Sequence, residues 1–157
     1  MYNLLIVIVL VALDQLFKHL ATSMLVDIVP VVIIPHFIGF NYVHNYGAGF
    51  SILSGKVDFL IIITAIALIA IAVGIIAKKF DNKIDEFSFV LILAGGIGNL
   101  IDRVVNGYVV DYLEFLFIEF PVFNLADILI CTGVGLFILN TIITEFFSKK
   151  KKGENNV

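Results

Sequence analysis

The sequence predicts an all-α membrane protein: four transmembrane helices with a small extracytoplasmic β-rich segment at the outer membrane interface. Three observations lead there. The 157 residues are 61% hydrophobic and 15% charged, whereas a soluble domain carries roughly 45–50% apolar and about 25% charged residues. One core of this size cannot hide that surplus. Four apolar stretches each approach the roughly 20 residues that a helix needs to cross a bilayer. Between them lie two segments rich in Val, Ile, Phe and Tyr and broken by proline or glycine, a composition that favours short strands. The length leaves no room for a separate soluble domain, so residues 1–157 form a single membrane domain.

The first span is predicted over about 3–22. Its start has neither the basic n-region nor the small-residue cleavage site of a secretory signal, so it is read as a permanent helix. Asp14, Lys18 and His19 lie inside it. The next segment, about Leu25 to Asp58, is punctuated by Pro30, Pro35 and Gly39 and should form a small sheet on the membrane. A second span, about 59–77, carries no charge, and a third, about 87–105, ends in Asn99, Asp102 and Arg103. Gly107 to Phe115 reads as extended chain after an Asn-Gly turn. The fourth span covers about 125–147 and is followed by the basic run Lys149 to Lys152.

Orientation follows from the ten basic residues. Lys78, Lys79 and Lys83 lie between spans two and three and Lys149 to Lys152 follow span four, so seven of the ten share one side. The positive-inside rule makes that side cytoplasmic, with both termini on it. The β-rich segments and the polar ends of spans one and three then face outward. A net charge of −3 with no basic face gives no footprint for nucleic acid. The single cysteine, Cys131, excludes an internal disulfide and is expected as a small buried residue of an apolar helix.

Charge inside a span costs about 2.5–3.5 kcal/mol per residue at mid-helix, so each instance needs a reason. Asp14 and Lys18, at i and i+4 on one helical face, can neutralise each other. Asn99, Asp102 and Arg103 occupy neighbouring turns, where they can support a site. Asp111 and Asp127 admit two readings. They could form a carboxylate pair sharing one proton, able to act as acid and base together. Alternatively Asn124 is a helix N-cap with Asp127 at the third helical position, and Asp111 is a solvated loop acid. His19, His36 and His44 show no zinc-ligand spacing, and Ser51 and Ser54 sit in no nucleophile elbow. Gly95, Gly96 and Gly98 suit close helix packing. A proton relay in a small transporter would spread its acids across the membrane, yet residues 59–77 and 128–144 carry none. A purely structural subunit leaves the clustered acids unexplained.

Four segments together resemble the lipoprotein signal peptidases, the type II signal peptidases of bacteria. They are Asp14-Gln15-Leu16-Phe17-Lys18, Asn45-Tyr46-Gly47-Ala48-Gly49-Phe50-Ser51, Gly95 through Arg103 continuing to Val109-Val110-Asp111-Tyr112, and Phe123-Asn124-Leu125-Ala126-Asp127. The resemblance implies a four-span aspartyl endopeptidase of the bacterial cytoplasmic (inner) membrane. It would cut prolipoproteins before the diacylglyceryl-modified lipobox cysteine, at the extracytoplasmic face, with no metal and no cofactor. It makes Asp111 and Asp127 the catalytic pair. Asp14, Lys18, Asn45, Gly47, Asn99, Arg103, Asn124 and Ala126 then support the site or meet substrate, with Asp102 beside them. It implies membrane lipids as partners and the cyclic peptide globomycin as an inhibitor. Phe17, where a small hydroxyl residue is common, and Gly49, in place of a second alanine, are the departures. The region from Ile28 to Tyr46, with Phe37, Phe40 and Tyr42, is the expected clamp for an extended peptide.

Overall fold

The computed structural model describes residues 2–26, 30–48, 52–80 and 82–154, with side chains as far as Phe146. Its elements in chain order are α1 (Tyr2–Leu25), β1 (Val31–Ile34), β2 (Ile38–Asn45), α2 (Val57–Ile76), α3 (Lys83–Asn106), β3 (Val109–Phe115) and α4 (Leu125–Glu154). All four helices are long and apolar enough to cross a membrane. In α2 only Leu60 and Leu68 are buried, and Phe59, Ile62, Ile63, Ile66 and Ile69 stand exposed, as side chains facing lipid do.

Helix α3 is the axis of the bundle, packed against α1, α2 and α4. Its glycines make this possible, because a side chain at three of them would strike a neighbour: the Ala126 carbonyl at Gly95, Leu68 of α2 at Gly96 and the Asp14 carboxylate at Gly98. Small residues that let backbones approach are the usual device for packing helices in a bilayer. The core around this axis holds Val7, Leu68, Val90, Leu91, Leu93, Ala94 and Leu129. At the first turn of α3, Asn82 accepts the Asp85 N–H as an N-cap, and Asn140 of α4 donates to Asp85. Asn3 of α1 donates to Glu86. This polar clasp extends α3 four residues before the apolar run expected at Phe87. Four of the residues 82–86, namely Asn82, Lys83, Asp85 and Glu86, are polar at this capped helix start, so a search for apolar stretches passes over it.

The sheet is antiparallel in the order β1-β2-β3. Val43, His44 and Asn45 pair with Asp111, Val110 and Val109. Side chains of β3 alternate as a pleated strand requires. Val110 and Tyr112 pack on Ala21 of α1, whereas Val109 and Asp111 face a cavity on the other side. The Asn-Gly pair is part of a helix ending. Asn106 closes α3 and Gly107, at φ 80°, is its left-handed cap, donating to the Arg103 carbonyl. Residues Ile28, Val29, Gly49, Phe50 and Ser51 lie outside the described residues.

The glycine contacts lead to a stability test with an internal control. Gly95→Ala and Gly98→Ala force backbone or buried charge aside and should each destabilise by about 1–3 kcal/mol. Gly135 meets nothing within 4 Å, so Gly135→Ala should be neutral or stabilise by up to about 1 kcal/mol through helix propensity. Thermal unfolding in detergent ranks the three, and equal behaviour would remove the close-approach role.

Candidate active site

Lys18 is the centre of a buried ionic core. It is 3% exposed, beside Asp14 at 0% and Asp102 at 2%. Its ammonium lies 2.9 Å from Asp14 Oδ2 and 3.2 Å from Asp102 Oδ2, and donates to Asn99 Oδ1 at 2.9 Å. All three N–H groups are thereby engaged. The other bonds of the two carboxylates reach outward. Asp14 Oδ1 accepts the N–H of Ala126 at 2.9 Å. Asp102 Oδ2 accepts the N–H of Val110 at 3.0 Å. Each hooked amide belongs to the residue immediately before one of the paired candidates, Asp127 and Asp111.

Asn124 joins those two aspartates. Its side chain donates to Asp111 Oδ1 at 2.6 Å and to Asn99 Oδ1 at 3.1 Å. It also caps α4: Asn124 Oδ1 accepts the Asp127 N–H at 3.0 Å, and Asp127 Oδ2 accepts the Asn124 N–H at 3.2 Å. This reciprocal arrangement is a capping box. The capping reading of Asp127 is therefore true, and compatible with a site role, because Oδ1 still accepts from Asn99 Nδ2 at 2.8 Å. The solvated-acid reading of Asp111 does not hold: it is 2% exposed.

Asn45 donates from Nδ2 to Asp111 Oδ2 at 2.9 Å, while its Oδ1 accepts the Gly47 N–H at 2.9 Å. The Gly47 carbonyl in turn accepts from Arg103 Nη2 at 2.7 Å. The site residues implied by the resemblance, from Asp14 and Lys18 through Asn45, Gly47, Asn99, Asp102, Arg103, Asp111 and Asn124 to Ala126 and Asp127, thus enter one network drawn from α1, β2, α3, β3 and α4. Burial, then repulsion from Asp127, pushes the Asp111 carboxyl up to about 7, against the opposing bonds from Asn45 and Asn124. Burial likewise raises the Tyr112 phenol to about 12, although the Leu125 N–H favours its anion.

Asp111 and Asp127 line the same cavity of about 580 Å³, with Asn45, Asn99 and Arg103 at its polar end. Leu60, Thr64, Gly96, Ile128, Cys131 and Thr132 continue it along α2, α3 and α4. Its size and its few converging polar groups are those of a ligand site. Cys131 is exposed, contrary to the expectation of burial, because it lies one turn beyond Asp127 on the cavity face. The expected aromatic clamp is also different. From Ile28 to Tyr46 the cavity takes Asn45 alone among the described residues, and Phe115, Phe120 and Phe123 supply its aromatic wall. Phe37 stacks on Phe117 with centroids 5.4 Å apart, Phe40 lies against Tyr112, and Tyr42 bonds His44. Ser54 is exposed, outside this network. Sequence reading missed Phe115, Phe120 and Phe123, for which strand phase and loop closure are the only signals.

A profile of the family described as signal peptidase (SPase) II matches residues 6–143. The lipoprotein signal peptidase of Caldicellulosiruptor bescii is 44% identical over 142 residues, covering 88% of this chain and 91% of that one. That of Clostridium tetani is 36% identical over 152 residues, covering 95% and 97%. A bacterial membrane enzyme solved in meso at 2.3 Å resolution superposes with a TM-score of 0.83 at 36% identity, covering 90% of this chain and 87% of its own.

The ionic core makes Lys18 a test of the whole assembly. Lys18→Met keeps much of the volume and leaves two buried carboxylates without their cation, a change worth about 3–5 kcal/mol. The melting temperature in detergent should fall by roughly 10 °C, while Lys56→Met, at an exposed lysine, should leave it unchanged. Equal melting of the two variants would contradict the central role of Lys18.

Proposed function

The chain belongs to the signal peptidase II family, and from that membership we propose an aspartyl endopeptidase acting on prolipoproteins immediately before the diacylglyceryl-modified cysteine. Membership itself makes it a membrane peptidase of lipoprotein processing. The aspartyl chemistry is supported by one observation above all: Asp111 and Asp127 open onto a single cavity and are bridged by Asn124. Two carboxylates that repel each other keep one proton between them. Asp111, raised to about 7, holds that proton. Asp127, kept in place by Asn99 and Asn124, takes a proton from water as the oxygen attacks the scissile carbonyl. Asp111 donates to the developing oxyanion and the pair then delivers a proton to the leaving amine. Arg103 and Asn45 hold the loop at Gly47 against this centre.

The proposed membrane placement matches the chemistry. A signal peptide sits with its basic end in the cytoplasm, so its cleavage point reaches the outer leaflet, where the positive-inside rule puts the C-terminal end of α3 and the start of α4. The apolar end of the cavity lies along the helices, in reach of lipid-borne substrate. By the same family resemblance, the site is the target of globomycin.

Asn has the shape of Asp without its useful proton, so Asp111→Asn and Asp127→Asn should each lose about 10²–10⁴-fold or more in single-turnover cleavage of a diacylglyceryl-modified prolipoprotein. The double variant should be little worse than either. Globomycin binding shows whether the pocket survives. Wild-type cleavage should fall as pH rises through about 7, where Asp111 loses its proton. Stability has the same sign. Folded Asp111 keeps a proton that the unfolded chain has released, so its contribution declines from pH 3.8 to about 7, and Asp111→Asn should remove that slope. Near-normal turnover in Asp127→Asn would return Asp127 to capping alone.

Topology has its own measurement. In a Cys131→Ala background, an impermeant thiol reagent on intact cells should label a cysteine placed at Gly107 and spare one at Asn82. The reverse pattern would invert the proposed orientation.

A further inference from the structure

We infer that Gln15 is a positioning residue, whose carboxamide ties the Asp14 carboxylate to Asp102 and thereby fixes the spacing of Asp111 and Asp127. The inference rests on the aspartyl reading above. Gln15 follows Asp14 in α1, and its Nε2 donates to Asp102 Oδ1 at 3.0 Å, to the Gly98 carbonyl at 3.2 Å and to Asp14 Oδ2 at 3.3 Å. Asp14 holds the amide before Asp127, and Asp102 holds the amide before Asp111. The two hooks carry like charges and would part if nothing joined them. Lys18 joins them by charge, but an ammonium is a rotating point charge with little angular preference. A planar amide anchored on a helix carbonyl fixes direction as well as distance. Gly98 lets the tie form, since a side chain there would displace the Asp14 carboxylate.

Gln15 also has a different setting from the rest of the core. It is half-buried and lines a second cavity of about 250 Å³ between α1 and α3, with Lys18, His19, Thr22, Asp102 and Asn106. The catalytic cavity lies elsewhere, and Gln15 is not among its lining residues. Changes at Gln15 therefore remove no side chain from the lining of that cavity and act on it through the positions of Asp14 and Asp102.

Two acids sharing a proton are active between their two apparent pKa values, and mutual repulsion sets the width of that window. For carboxylates about 5 Å apart at an effective dielectric of about 20, one extra ångström lowers the coupling by about 0.4 pH unit. The charged and titratable groups facing the pair are Lys18 and Asp14 from α1, Asp102 and Arg103 from α3, and Tyr112 from β3. Substitution at Gln15 removes none of these groups and reaches the pair through Asp14 and Asp102, which Gln15 bonds.

The test is the pH profile of single-turnover cleavage by full-length Gln15→Met, which keeps volume and loses the donor. The expected result is a bell narrowed by about 0.4 pH unit or more on its alkaline side, where mutual repulsion sets the limit, with globomycin affinity and substrate KM within about twofold of wild type. A profile of wild-type width, merely lower at every pH, would overturn the inference by making Gln15 a packing residue. Gln15→Ala, which opens the position to the polar cavity, is the second variant if Gln15→Met does not accumulate in the membrane. Failure of both to fold assigns Gln15 to folding and also overturns it. Cleavage by Asp111→Asn or Asp127→Asn at wild-type rate would remove the aspartyl reading itself. With those variants inactive, an unchanged Gln15 profile counts against the positioning role alone.

Discussion

One ammonium group bears the arrangement of the proposed catalytic centre. Lys18 meets two carboxylates and an amide oxygen inside a bundle where unpaired charge is costly. Directly it joins α1 to α3. Through Asp14 it reaches the start of α4, through Asp102 the start of β3, and through Asn99 both Asn124 and Asp127. The order of these bonds explains why a membrane enzyme tolerates so many polar groups in one place. Each is satisfied by the next, and the two ends of the network emerge at the cavity as Asp111 and Asp127. Among the described buried side-chain atoms, Arg103 Nε is the one without a partner.

Capping and the proposed chemistry share atoms here. Asn124 and Asp127 close the N-terminus of α4 by a reciprocal pair of hydrogen bonds and present a carboxylate oxygen to the cavity. The N-terminal N–H groups of a helix need acceptors, and a catalytic acid needs a fixed direction. One turn of helix meets both requirements. Gly107 plays the matching part for Asp111: its left-handed conformation ends α3 and turns the chain directly into β3.

Much of this was legible in the sequence, for identifiable reasons. Long apolar runs disclosed four spans because the bilayer imposes their length, and i, i+4 spacing disclosed the Asp14–Lys18 pair because a helix fixes that geometry. Asp102, 84 residues after Lys18, was placed as a supporting residue, but its grip on the Val110 amide depends on tertiary packing that no local pattern encodes. The beginning of α3 was missed since its capping residues are polar. Cys131 was misplaced since apolar character in a membrane helix does not distinguish a face buried in protein from one facing lipid or a cavity. The aromatic lining of the cavity, Phe115, Phe120 and Phe123, was not singled out because composition identifies β structure without register or phase.

The i, i+4 placement of Asp14 and Lys18 matters before the bundle exists. During synthesis α1 enters the bilayer well ahead of α3, which carries Asp102 and Asn99, and ahead of α4, which carries the Ala126 amide. For that interval the helix would expose two lone charges to hydrocarbon. Adjacent on one face, they travel as a neutral couple, and the later helices exchange part of that local contact for their own. The spacing that anchors the finished site thus also serves as a passport for the nascent chain.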